Sequence, residues 1–122
     1  MSYELIWEPH GVVKRFFGVL TGRDIVESVE RIEADPRFDA CRHVINDLLA
    51  VERVDVSATD VEYVAAIDRG AALTNPDIRV AFVTTSPRLV ALAEQYAEGG
   101  QSAYPTRIFD ALVVARAWAT AR

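Results

Sequence analysis

The stretch from Ile78 to Thr85, "IRVAFVTT", is apolar and β-branched at both alternating sets of positions, and it runs directly into Ser86-Pro87 and an amphipathic segment of helix length. A strand that is apolar on both faces has to be covered on both faces, which is the condition of a central strand in a sheet with helical layers. Serine at the cap position followed by proline at the first helical position starts the next helix at once, and Leu89, Leu92, Ala93 and Tyr96 form its apolar stripe up to a stop at Gly99-Gly100. A buried strand feeding straight into a helix leaves little choice: the chain has to build a layered α/β domain.

The flanking segments repeat the alternation. Tyr3 to Glu8 and Val12 to Leu20 read as two strands joined by the turn Pro9-His10-Gly11, hence a hairpin. The period then becomes helical in "TGRDIVESVERIEAD", with Ile25, Val29 and Ile32 on one stripe, Thr21 and Asp24 at capping-box spacing, and Asp35-Pro36 as the stop. Arg42 to Leu49 is a third strand, followed by a polar loop. Val61, Val64, Ile67 and Ala71 then mark a helix to about Leu73, stopped by Asn75-Pro76-Asp77. A short strand "TRIF" and a last helix from Asp110 to Ala119 complete the order β-β-α-β-α-β-α-β-α. Strands separated by helix-length crossovers pair in parallel with right-handed connections, so the expectation is a mixed, mainly parallel five-stranded sheet in one domain over residues 1–122.

Composition narrows the function classes. The chain has 122 residues, 51% of them hydrophobic, enough for a core without disulfides or a structural metal. Net charge is −5 and the 13 basic residues are scattered, which argues against nucleic acid as a partner. Cys41 is the single cysteine, and "MSYELIWEPHG" has neither a basic leader nor a long apolar run, so the expected location is the reducing cytoplasm. No window approaches the roughly 18 uninterrupted apolar residues of a membrane span, so stable membrane insertion is not expected. His10 and His43 lack further ligands at metal spacing, and no glycine-rich phosphate loop or nucleophile elbow is present; no metal, cofactor or catalytic residue is expected.

The element order, together with "VINDLLAVERVDVSATDV" in the middle and "RIFDALVVARAWA" at the end, resembles the STAS superfamily, in particular its SpoIIAA-like (STAS/SEC14) bacterial branch. In the anti-sigma-factor antagonists of that superfamily a strand ending in aspartate leads to an Asp-Ser-Ser-Gly-type motif that opens a helix, and one of its serines is phosphorylated by a kinase partner. The resemblance places the strand-ending aspartate at Asp47 and the motif at Asp55-Val56-Ser57-Ala58-Thr59-Asp60. The match departs from the pattern: one serine stands where the motif has two, and no glycine is nearby.

Ser57 therefore has two readings. With Asp60 it has the S-x-x-[DE] spacing of a capping box, which closes a helix end without any signal. The same helix end offers unpaired N–H groups and a partial positive charge, so Ser57 or Thr59 is also a candidate phospho-acceptor. In open sheets with helical crossovers, ligands gather beyond the carboxyl ends of the parallel strands. The residues expected there are Thr21, Arg23, Asp47, Ser57, Thr85 and Ser86, either as an edge for a partner or ligand or as caps of the helices that follow. Asp68 falls inside the apolar stripe of its helix and needs a partner if buried. His43 is a candidate for a buried polar pair with it; the alternative leaves Asp68 at the rim of the stripe, in water.

Two functional expectations follow. The first, implied by the resemblance, is a non-enzymatic regulatory module that binds a protein partner. The second, implied by the SEC14 side of the resemblance, is a domain for a small apolar ligand such as a lipid, lined by Leu89, Leu92 and Tyr96 of one helix and Leu112, Ala115 and Trp118 of the last. A homodimer is expected as well: if the helices cluster on one side of the sheet, Trp7, Phe17 and Val19 are left on the other for a second copy to cover.

Overall fold

A computed structural model describes residues 2–98 and 103–121. The hairpin forms as the alternation requires: β1 (Tyr3–Glu8) pairs antiparallel with β2 (Gly11–Thr21). The left-handed conformation that this tight turn needs falls on His10, at φ 62°, rather than on the glycine beside it. Gly11 is required for another reason, since a Cβ there would stand 2.1 Å from Nε2 of the His43 ring. Next come α1 (Gly22–Ala34), a short 3₁₀ turn at Pro36–Ala40 with Asp35 as its cap, β3 (His43–Asp55), α2 (Ala58–Ala71) and β4 (Arg79–Val83). The chain ends with α3 (Pro87–Glu98), β5 (Thr106–Phe109) and α4 (Leu112–Thr120). The expected stop at Gly99-Gly100 lies outside the described residues.

The sheet has five strands in the order β1-β2-β3-β4-β5, with every pair after the first parallel. Val44 stands opposite Val80 and Ile45 opposite Ala81, so β3 and β4 are adjacent and run the same way. The stretch after Leu49 is not a loop. It continues β3 to Asp55, paired only with β2, through two register shifts around Arg15/Phe17 and Gly18/Val19. Its charged alternation reads as loop because one side of the extension is open, and the bulges break the period.

Alternation along the strands sorts the core into two layers. Val12, Phe16 and Leu20 of β2, Val44 and Leu48 of β3 and Val80 of β4 pack with α1, α2 and α3. Val13, Ile45, Ala81 and Val83 pack with Ala115 and Ala119 of α4 on the opposite face. The helices thus divide three to one, not all on one side, and α4 shields the second face of β4 that the sequence required to be covered. Ala115 and Ala119, both 0% exposed, are four residues apart and bring the helix close to the strands. Each buried Val, Leu or Ile side chain contributes about 1.5–3 kcal/mol, so both layers matter to stability. Trp7 is a correction: it packs against the α1 side, with the Arg37 guanidinium 4.5 Å from its ring centroid. Phe17 and Val19 do fall on the face that carries α4, beyond the cover of that helix.

Candidate functional site

Two places collect polar chemistry. At the carboxyl edge of the parallel strands, three helices begin side by side, each closed by a hydroxyl. The Asp24 N–H donates to Thr21 Oγ1 over 3.1 Å at the start of α1, and the Leu89 N–H to Ser86 Oγ over 3.3 Å at the start of α3. Ser57 forms the full reciprocal box: its Oγ accepts from the Asp60 N–H at 3.1 Å, and Asp60 Oδ2 accepts from its own N–H at 2.9 Å. Ser57 and Thr59 are exposed, as are Arg23 and Thr85. The start of α2 is braced from α3, because Arg88 donates to the Val56 carbonyl at 3.1 Å and Gln95 to that of Ala58 at 3.2 Å. Thr84, absent from the sequence reading, is buried and accepts from the Ser86 N–H at 3.0 Å.

Asp47 stands level with the carboxyl end of β4 but closes no helix. It pairs with Val83 inside β3, which runs on to Asp55, and its Oδ1 accepts from the Leu49 N–H at 3.1 Å. It shares the face of Ile45, under α4, whereas the capping serines lead into helices on the other face.

The second place is a cavity of about 100 Å³ between the sheet and α1, α2 and α3. Its walls are mainly Val, Leu, Ile and Phe, but one end is polar. There Lys14 of β2, Glu33 of α1, Asp68 of α2 and Tyr96 of α3 converge. Tyr96 donates its hydroxyl to Asp68 Oδ2, Glu33 brings a second carboxyl to the same end of the cavity, and Lys14 Nζ donates to Ser28 Oγ at 3.3 Å. Lys14 is only 5% exposed. Burial lowers its ammonium to about 8, with Asp68 and Glu33 opposing the fall. Burial, then the neighbouring Asp68, pushes Glu33 up to about 8. Burial raises Asp68 too, against the pull of the Tyr96 hydroxyl and Lys14, and it raises Tyr96 well above the usual phenol range.

The expected His43–Asp68 pair is not formed. His43 alternates with Val44 and points to the α4 face, where its Nε2 lies 2.6 Å from Glu8 Oε1; the same oxygen accepts from Arg116 of α4 at 2.6 Å. Asp68 lies on the other side of the sheet. Its position inside the apolar stripe was legible from the helical period, and so, in principle, was Lys14, which shares the inward set of Val12 and Phe16. Glu33 carries no such signal, and Tyr96, legible as part of the α3 stripe, gives no sign of its acidic partner, because only packing brings three helices together over one lysine. Likewise Leu89, Leu92 and Tyr96 line the cavity as expected, whereas Leu112, Ala115 and Trp118 belong to the opposite layer.

No family model matches the sequence, and no curated protein matches it either. Among the described residues no helix is long and apolar enough to cross a membrane, and no group of three or more metal-ligating side chains is found. Solved structures are similar to this chain, two of them as follows. The unphosphorylated anti-sigma factor antagonist SpoIIAA superimposes with a TM-score of 0.62 at 15% identity, over 95% of this chain and 94% of the other. An uncharacterized protein of the DUF3478 family from Shewanella loihica PV-4, described as having a SpoIIAA-like fold, gives a TM-score of 0.53 at 12% identity over 96% and 91%. The mixed sheet, its strand order and the α-helical layers together make this chain a domain of the SpoIIAA-like fold.

Proposed function

We propose that the chain is a non-enzymatic regulatory module that binds a protein partner at the helix-capping edge, with modification at Ser57 or Thr59 altering the affinity. The observation that carries this reading is the exposed Ser57 hydroxyl at the start of α2, on an edge where Thr21 and Ser86 close the neighbouring helices. A phosphate there would add about −1.5 to −2 charges beside Asp60, break the reciprocal box and change both the shape and the sign of the edge. The test is a pull-down from the native host with wild type, Ser57→Ala and Ser57→Asp, combined with phosphopeptide mapping. A partner held by wild type and Ser57→Ala but released by Ser57→Asp, with a phosphopeptide covering 57–59, supports the reading. No difference between the variants and no phosphopeptide would discard it.

The open part of the sheet face that carries α4 offers a second contact surface, with the Glu4–Arg15 ion pair among its apolar residues. Ile6, Val19 and Leu49 are exposed there, and Val113 and Val114 are exposed on α4 itself. A second copy of the chain is the occupant this surface suggests, and Leu49→Lys should then convert a dimer to a monomer in light scattering. A monomeric wild type at micromolar concentration removes that suggestion.

The cavity favours a second reading, a site for a small apolar ligand. Its volume of about 100 Å³ lies below the roughly 150 Å³ that takes up a benzene molecule, so a long lipid chain does not fit it as it stands. Solvent extraction of purified protein followed by mass spectrometry tests this: a stoichiometric small molecule supports it and an empty extract opposes it.

A further inference from the structure

We propose that the cavity under α1, α2 and α3 is a binding site for a small organic cation, an amine on a short apolar chain, whose ammonium is held by the carboxyls of Glu33 and Asp68 at the polar end. This rests on the reading of the cavity as a small-ligand site and assigns that ligand its chemistry.

The argument is one of charge and donors. Glu33 and Asp68 line the same end of the cavity, and burial raises both carboxyls, so that one of the pair keeps its proton near neutral pH. The cation among them is Lys14, which donates one of its three N–H groups to Ser28 Oγ at 3.3 Å and whose single charge balances one of the two carboxylates. With both carboxyls ionised the cluster would carry one uncompensated negative charge in an apolar wall, which burial disfavours strongly. One further cation completes it. Ionised carboxylates only accept hydrogen bonds, so an ammonium finds acceptors there, whereas an anion meets two acids.

The helix geometry points the same way. Glu33, Asp68 and Tyr96 lie in the last turns of α1, α2 and α3, so three carbonyl ends with partial negative charge converge on this end of the cavity. The titratable groups lining the cavity are Lys14 from β2, Glu33 from α1, Asp60 and Asp68 from α2, Tyr96 from α3 and Tyr104 from the segment before β5, with Glu30 and Cys41 acting on them through charge from outside the lining. Among these Lys14 is the single ordinary cation. The remaining walls, with Val29, Val61, Val64, Phe82 and Leu89, suit a hydrocarbon chain. Binding is an exchange: the ammonium enters with its proton, the proton kept by one of the carboxyls leaves to solvent, and no other covalent bond changes.

The experiment titrates the full chain with n-butylammonium chloride and, separately, with 1-butanol, which has a similar size and no charge. Amide shifts in NMR spectra locate binding, and calorimetry in two buffers of different ionisation enthalpy counts protons. Expected are shifts along α1, α2 and α3 with butylammonium, release of about one proton per ligand, and roughly tenfold tighter binding at pH 7 than at pH 6. Glu33→Gln and Asp68→Asn, which keep the volume and remove the charge, should each weaken butylammonium at least about tenfold and leave butanol unchanged. Equal binding of butanol and butylammonium, binding without proton release, or unchanged affinity in both variants overturns the proposal while the small-apolar-ligand reading stands. Binding of neither probe overturns both.

Discussion

Gly22 lies so close to Asp60 that a Cβ added to it would stand 2.1 Å from the carboxylate oxygen Oδ2, the same oxygen that accepts the Ser57 N–H. The start of α1 is therefore packed against the capping box of α2, and a side chain at 22 has to displace the acid that closes it. Gly22→Ala is expected to destabilise by about 1–3 kcal/mol in urea unfolding, although alanine is the better helix former. In an Asp60→Ala background the same change should be neutral or stabilising; an equal loss in both backgrounds would show that the contact does not carry the effect.

Ser57→Ala removes the hydroxyl that satisfies the Asp60 N–H and should cost about 1 kcal/mol. Ser57→Asp should stay within about 0.5 kcal/mol of wild type, because aspartate is also a good cap and the helix start favours negative charge. Denaturant midpoints with unchanged slopes are the measurement. Near-equal stability of Ser57→Asp and wild type is what lets a lost partner be attributed to charge and not to unfolding.

Stability should fall as pH rises from about 5 to 8 and recover above 8. Glu33 is raised from 4.5 to about 8 in the folded protein, so the folded state holds more protons than the unfolded one in that interval; its favourable contribution is complete below 4.5 and is lost as pH rises through about 8. Lys14 is lowered from 10.5 to about 8, so its penalty is present below 8 and is relieved between 8 and 10.5. Glu33→Gln should flatten the first limb and gain on the order of 1 kcal/mol at pH 8, a value discounted for a group partly open to solvent. Lys14→Met should flatten the second limb. Thermal melts of the three proteins between pH 5 and 10 check both slopes.

Glu8 joins β1 to His43 of β3 and to Arg116 of α4 through one oxygen. Burial works to raise its carboxyl, but the hydrogen bonds from Arg116 and His43 outweigh it and hold the group below its ordinary 4.5. The stabilisation is present above 4.5 and is lost as pH falls through the lower, folded value. Glu8→Gln should cost about 1–2 kcal/mol at neutral pH, and the cost should shrink steadily as pH falls below 4.5. A loss that persists undiminished at pH 3 would assign the effect to packing.

What the sequence by itself determined is what depends on neighbours along the chain. Period and punctuation placed the strands from Tyr3 to Glu8 and from Ile78 onward, the helix over Asp68, and the caps at Thr21, Ser57 and Ser86, since hydrogen bonds within one turn and alternation within one strand are local properties. That β3 and β4 run parallel followed from crossover length; their register, with Ile45 beside Ala81, came from the structure. Only the tertiary structure decided what depends on which layer an element joins. The continuation of β3 to Asp55 needed β2 as its partner, so the strand does not end at Asp47. The placement of α4 opposite the other helices separated His43 from Asp68, and the meeting of Glu33, Asp68 and Tyr96 over Lys14 arose from packing three helices on one face. A side chain's sheet face can be read from its parity, but the residues it meets there come from elements distant in sequence, and nothing local encodes their approach.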